Sequence, residues 1–362
     1  MRKPICIPKV GLGCLSLAMV ASPAACSRPA GDSWAKVEDH AVSGELGRDQ
    51  RQGSGAANAG WGAEPDAGFD DVEGELGDDR EGGGDSWQHR LVSAGLVELV
   101  PSKFRRRAGF DCVAIISIDR AEPGVEPYIY QTLPATLRAL APGAEVNIMV
   151  SDERAGYLCH ERIAYLVGED QARHVHVHAV NREVAETVRA RCATSRARAT
   201  WNVARLLRSY RGTQGLLVLE DDISWTQQGV RPLTHAMAAV GSNGPPLLSL
   251  FNRFCDGLAD APAPMPRTPE IVRSDTSVHR FHYAQGLRYS PQMARRGGRH
   301  LESGLPDSDY YDSALGDFLP SQGWQVGYLY PSIIQHVGVH SSQGNGVGNG
   351  PVSTCMLGDE VD

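Results

Sequence analysis

The sequence predicts an α/β protein built on a mostly parallel sheet flanked by helices. Three observations carry this. Short apolar, β-branched runs recur at residues 112–118, 144–150 and 216–219, the pattern of strands buried on both faces. Segments of helical period lie between them, at 128–140 and 183–210. Strands alternating with helices need crossovers, and crossovers give parallel neighbours. Ligands of such sheets gather at the carboxyl ends of the strands, here near Ser117, Asp152 and Asp222.

Residues 1–26 read as a signal peptide or lipoprotein signal. Arg2 and Lys3 open it, small apolar residues follow, and Ser22-Pro23-Ala24-Ala25-Cys26 offers a processing site. The alternative is a start site assigned too early. Export or membrane anchoring through this segment and a cytoplasmic location therefore both stand. The run is too short to span a bilayer, and no later one is long and apolar enough. Residues 27–108 are assigned to a disordered acidic, Gly-rich linker, too poor in large apolar groups to offset its ordering entropy. It ends in a short amphipathic piece at 91–100 and a basic cluster at 103–107.

The folded domain is expected over 109–345. Its first strand, at 112–118, is followed by a loop and a helix over 128–140 that contains Pro134. A second strand covers 144–150. The strictly alternating 174–180 is a third, with one polar face carrying His174, His176 and His178. One long helix is expected over 183–210, then the central strand that runs into Glu220, Asp221 and Asp222. Further on come a helix around 233–240, a strand at 246–251 and a Pro-bearing loop at 256–275. A strand at 283–290 carries Gly286 where a ligand or another backbone approaches closely. A short helix at 310–319 and a strand at 324–330 complete the domain, and 346–362 is expected to be a flexible tail.

Composition narrows the function. The 362 residues carry a net charge of -8, which argues against a broad nucleic-acid footprint. Eight scattered cysteines contain no CxxC pair, so a zinc ribbon or thioredoxin-type site is unsupported.

Three adjacent carboxylates repel one another unless a cation offsets them. Oxygen ligands suit Mg²⁺ or Mn²⁺ carried by a diphosphate. A solvated acidic turn is the plain alternative. His336 and His340 follow a strand and flank Gly338; imidazole also ligates Mn²⁺, although each histidine alone fits a structural role. Arg198, Asn202 and Arg205 lie at helical spacing, and a guanidinium suits a diphosphate. Ser117 and Arg120, around the end of the first strand, are further candidates for nucleotide contacts.

Leu219-Glu220-Asp221-Asp222-Ile223, followed by Pro331-Ser332-Ile333-Ile334-Gln335-His336-Val337-Gly338-Val339-His340-Ser341-Ser342, resembles the N-acetylglucosaminyltransferase IV family. The resemblance covers roughly 110–342. It implies a GT-A fold, a UDP-sugar donor, a divalent metal and inversion at the anomeric carbon. By that resemblance Asp222 holds the metal; Glu220, in the same acidic run, is a further candidate ligand. Asp221 serves the ribose or the metal shell, and His336 or His340 finishes the site. An inverting transfer also needs a base for the acceptor hydroxyl. The family places a carboxylate in a short helical segment, matched here by Asp312, with Asp309 and Asp317 as rivals. Asp309 and Asp312 equally suit a helix N-terminus on electrostatic grounds alone.

The expected reaction is metal-dependent transfer of a sugar, N-acetylglucosamine among the candidates, to a glycan, glycolipid or glycoprotein hydroxyl. Neither a long acceptor-recognition insert nor the lectin-like extension of the animal enzymes is apparent, which leaves the acceptor open. A lipopolysaccharide-type glycosyltransferase and a non-catalytic carbohydrate-binding protein on a degenerate transferase fold are the alternatives. A phosphohydrolase is disfavoured, because no phosphate-cradling Gly-rich loop is evident.

Overall fold

The apolar runs form the centre of an eight-stranded sheet. In this computed structural model residues 86–102, 109–118, 126–150, 155–252, 265–273, 284–305, 310–338 and 353–357 are described, all within one unit spanning 57–362. Strands β1 (Cys112–Ser117), β2 (Val146–Val150) and β4 (Leu216–Glu220) are buried almost throughout. β1 lies between β2 and β4, parallel to both. β3 (Val175–His178) pairs in parallel with β2 and ends that side of the sheet. Its polar face is present as expected: His176 meets Glu145 at 2.8 Å and His178 meets Asn147 at 2.9 Å.

Beyond β4 the sheet becomes mixed. β8 (Gly286–Tyr289) runs antiparallel to both β4 and β6 (Leu247–Ser249). β9 (Val326–Tyr330) is parallel to β6, and β7 (Glu270–Arg273) is antiparallel to β9. The order is β3-β2-β1-β4-β8-β6-β9-β7. β7 corrects the sequence reading, which made 256–275 a loop. Four residues give little periodicity, yet pairing with β9 satisfies their backbone and buries Val272 against Tyr330 and Cys355. At Gly286 the close neighbour is a side chain and not a ligand or backbone: a Cβ there would overlap Ile334 Cδ1.

Alternation along the strands sends side chains into two cores. On one face Val113, Ile115, Ile148, Leu217 and Leu219 pack with α2 (Ile129–Ala139), α3 (His160–Val167) and α7 (Arg231–Val240). On the other, Cys112, Ala114, Met149, Leu216 and Val218 pack with five helices. These are α1 (Trp87–Ala94), α5 (Arg182–Arg191), α6 (Ser195–Ser209), α8 (Pro291–Ser303) and α9 (Tyr311–Ser321). A four-residue α4 (Glu169–Ala172) precedes β3. No helix among the described residues is long and apolar enough to cross a membrane.

Several expectations are corrected. The single helix over 183–210 is two helices. Thr194 caps the second by accepting from Ala197 N at 3.0 Å, while Arg198 donates to the Cys192 and Ala193 carbonyls at 3.3 and 2.8 Å. The 27–108 segment is not linker throughout: Ser86 caps α1, which buries Leu91 and Val92 in the core. A two-turn helix stabilised by docking shows little periodicity of its own. Residues 353–357, assigned to a flexible tail, pack instead on the chain after β9: Ser332 N donates to Cys355 O at 2.8 Å and Leu357 N to Ser332 O at 2.9 Å. The proposed signal segment at 1–26 and the acidic stretch up to 85 lie outside the described residues.

Candidate active site

The site forms where β4 leaves the core. Leu216, Val218 and Glu220 face the helices α6, α8 and α9, and Leu217 and Leu219 face the opposite core. Asp221 and Asp222 make the turn into β5 (Ile223–Trp225). β5 pairs antiparallel with β10 (Ile334–His336), setting His336 opposite Ile223. Val337 N donates to Asp222 O at 2.8 Å and continues that pairing. The two remote sequence motifs therefore form one two-stranded ribbon.

At its tip His336 Nε2 lies 3.2 Å from Asp222 Oδ2. The side chains are 11% and 8% exposed, so each charge feels the other with little screening. Gly338 closes over them. A Cβ at 338 would overlap Asp222 Oδ2 and sit 2.9 Å from His336 Nε2. Only glycine lets the backbone pass here without displacing the pair.

Asp221 is turned the other way and tied to the end of β1. Its Oδ2 accepts from Ser117 Oγ at 3.2 Å and from Ile118 N at 3.0 Å. Thr132 Oγ1 reaches both the Asp221 and Ile223 carbonyls, at 2.6 and 2.9 Å, pinning the acidic turn to α2. Ser117 thus braces the acids, and its hydroxyl also meets Tyr157 OH at 3.0 Å.

Glu220 receives a hydrogen bond from Tyr311 OH at 2.8 Å. Burial, then the Asp222 charge, pushes its carboxyl well above the ordinary carboxylate range; the Tyr311 bond and His336 only partly offset this. Asp312, next in sequence to Tyr311, which bonds Glu220, adds to the rise. Asp312 is half-buried in the first turn of α9 and accepts from Ser313 N at 2.8 Å. Asp317 is exposed and lies about 140° further round the helix, away from the cluster. Asp309 lies outside the described residues.

Tyr289 on β8 lies deeper along the same face, opposite Leu216, at the start of β4. It is fully buried, its hydroxyl has no hydrogen-bond partner among the described residues, and burial, then Asp312 and Glu220, raise its pKa. Tyr311 is the part of the site that the sequence reading does not name. The alternation of β4 was the available signal, since it aims Glu220 at the helices rather than at the acidic turn.

Gln335 supports His336 from behind. Its Oε1 accepts from Ser353 N at 2.8 Å and from His336 N at 3.2 Å, while its Nε2 donates to Ser353 O at 3.3 Å. The structure does not bring Arg198 to the acids; its guanidinium closes the α5–α6 turn. Asn202 is buried at 1% exposure in α6, and neither amide atom has a hydrogen-bond partner among the described residues. Arg120, Asp152 and His340 lie outside the described residues.

Among the described residues no three His, Cys, Asp or Glu groups are arranged to hold a metal ion by themselves. Asp222 and His336 do offer one oxygen and one nitrogen donor side by side beneath Gly338. That set fits a cation whose other ligands are phosphate oxygens and water.

No protein-family model and no curated protein matches the chain. Among solved structures it is similar to an active-site mutant of LgtC, at 14% identity, over 60% of this chain and 71% of that one, with a TM-score of 0.36. It is also similar to 4-diphosphocytidyl-2C-methyl-D-erythritol synthase from Anaerococcus prevotii, at 10% identity, over 67% of this chain and 91% of that one, with a TM-score of 0.35. Likeness at this level decides nothing about activity.

Proposed function

We propose that this chain is a metal-dependent inverting glycosyltransferase of GT-A type. It moves a sugar, with N-acetylglucosamine the first candidate, from a UDP-sugar to a hydroxyl of a glycan, lipid or protein. The observation that supports this best is the meeting of Asp222 and His336 at 3.2 Å under Gly338, across two motifs remote in sequence.

Each residue has a role in this reading. Asp222 and His336 hold Mn²⁺ or Mg²⁺, which when bound neutralises charge growing on the departing diphosphate. Asp221, fixed by Ser117 and Ile118 N, keeps the turn in register and faces the ribose side. Asp312 takes the proton of the acceptor hydroxyl as that oxygen attacks the anomeric carbon opposite the diphosphate. Tyr311 holds Glu220 beside the site. Glu220 then shapes the field around Asp222 instead of binding the cation.

The test is release of UDP from a panel of UDP-sugars with Mn²⁺, with and without glycan acceptors. Acceptor-stimulated release that disappears in Asp312→Asn while UDP binding persists supports the assignment. Glycan binding without metal and without UDP release would favour the non-catalytic carbohydrate-binding alternative.

A further inference from the structure

The two helical layers that cover the sheet differ in charge. On one face α1, α5, α6 and α8 carry eleven arginines and three glutamates. On the other, α2, α3, α4 and α7 carry three arginines and three acids. The whole chain has a net charge of -8, so the excess of cations is local to one face. Arg205 is buried and Arg198 closes the α5–α6 turn, and these two take no part in that surface.

The clearest part of it is α8. Met293, Ala294, Gly297, Gly298 and Leu301 face the core, which puts Arg295, Arg296 and Arg299 on the outer stripe. Arg296 donates to Gln322 Oε1 at 2.9 Å and lies 5.5 Å from the Trp324 ring. Arg295 and Arg299 are exposed, one turn apart, and have no ion-pair partner among the described residues. Like charges at this spacing repel, so the stripe is unfavourable unless anions face it. α1 packs against α5, α6 and α8 and joins the stripe to α5. Between α1 and α5 opens a cavity of about 390 Å³, lined by Trp87, Arg90, Glu183, Thr187 and Arg191 among others. The Arg191 guanidinium is exposed there, 5.6 Å from the Trp87 ring.

Guanidinium groups in such an array suit phosphates. No large apolar side chain is exposed on these helices, so the surface attracts by charge and does not insert. Its position links it to the acids. β8 ends at Tyr289, beside the start of β4, and α8 climbs back from there over about 20 Å. Tyr311, at the start of α9, already reaches Glu220. The stripe therefore runs along the flank of the domain toward the rim of the site. Membranes and nucleic acids both present phosphates, and two features favour the membrane. The first 26 residues read as an export or lipoprotein signal, which brings a chain to a bilayer, and a lipid anchor with a basic patch holds better than either alone. No Trp, Tyr or Phe ring on these helices is exposed to stack on bases. We propose that the outer faces of α8, α1 and α5 form a docking surface for an anionic phospholipid membrane. The proposal does not depend on the nucleotide-sugar reading above.

The experiment is co-sedimentation of the full, unacylated chain with two kinds of vesicle at low salt. One is phosphatidylcholine alone; the other is phosphatidylcholine and phosphatidylglycerol in equal parts. Partition onto the anionic vesicles is expected to be at least about tenfold stronger, and salt near about 0.5 M removes the difference by screening. Arg295→Gln/Arg299→Gln lowers partition onto the anionic vesicles about tenfold, with an unchanged circular dichroism spectrum. Arg138→Gln/Arg231→Gln removes as much exposed charge from the opposite layer and leaves partition unchanged. Equal partition onto both kinds of vesicle overturns the proposal, as does equal loss in the two double variants. Loss only on neutralising Arg105, Arg106 and Arg107 overturns it in favour of that basic cluster. Tighter binding to an RNA duplex than to the anionic vesicles overturns it in favour of nucleic acid.

Discussion

The imidazole of His336 stands 3.2 Å from the carboxylate of Asp222, although 114 positions separate them in the chain. The β5–β10 ribbon produces this contact: pairing of His336 with Ile223 and the bond from Val337 N to Asp222 O leave little freedom for either side chain. Asp222→Ala is expected to abolish donor turnover with the fold intact, as read by circular dichroism and by release of UDP. His336→Ala should reduce turnover strongly, with partial recovery at high Mn²⁺ because one ligand is lost and the carboxylate remains.

Gly338→Ala tests the packing above that pair. The new Cβ would overlap Asp222 Oδ2, so the pair must move. Overpacking of this kind costs about 1–3 kcal/mol. Turnover and metal-dependent UDP binding should fall far more than thermal stability does. A variant with wild-type UDP binding would show that the close approach of Gly338 is incidental.

Tyr311→Phe removes the hydroxyl that donates to Glu220 at 2.8 Å. Glu220 is only partly buried, so the loss of this partner costs about 1 kcal/mol, the low end for a buried group. Denaturant unfolding should show a destabilisation of that order, accompanied by reduced turnover, because Glu220 and Asp222 share one electrostatic environment. Unchanged stability would mean that Glu220 is satisfied by another group.

A pH signature follows from His178. Burial first, then the Arg205 charge, then His176, lowers its pKa from 6.5 to about 4. The neutral ring meets Asn147 at 2.9 Å. Between about pH 4 and 6.5 the unfolded chain binds the proton that the folded chain refuses, so this group makes stability rise with pH across that window and fall on acidification. His178→Gln should flatten that part of the profile, measured by denaturant midpoints at pH 4.5 and 6.5. A profile as steep as the wild type would assign the acid sensitivity to other groups.

The Leu-rich run at 216–219 already marked the central strand, and the acids after it marked the site, because long-range burial and charge repulsion leave plain traces in composition. The break between α5 and α6 was not legible: apolar periodicity continues through Cys192, and only the Thr194 cap interrupts it. α8 had its signal in Ser290-Pro291, where Ser290 accepts from Met293 N at 3.1 Å, but Gly297 and Gly298 disguised the helix. Those glycines allow close packing; a Cβ on Gly298 would sit 3.1 Å from Leu207 Cβ. The contact of Gln335 with Ser353 depends on a tertiary pairing that no local pattern encodes. Arg198 and Asn202 shared a helical face on paper, yet Arg198 turned to the α5–α6 loop and Arg205 took the buried place beside Asn202.

The most direct test of the central claim is calorimetric titration of the protein with UDP, with and without Mn²⁺, alongside Asp222→Ala. The account predicts binding only with the metal, and its loss in the folded variant. UDP binding of equal strength without metal, or retained in Asp222→Ala, would contradict the assignment of Asp222 and His336 as the cation-holding pair.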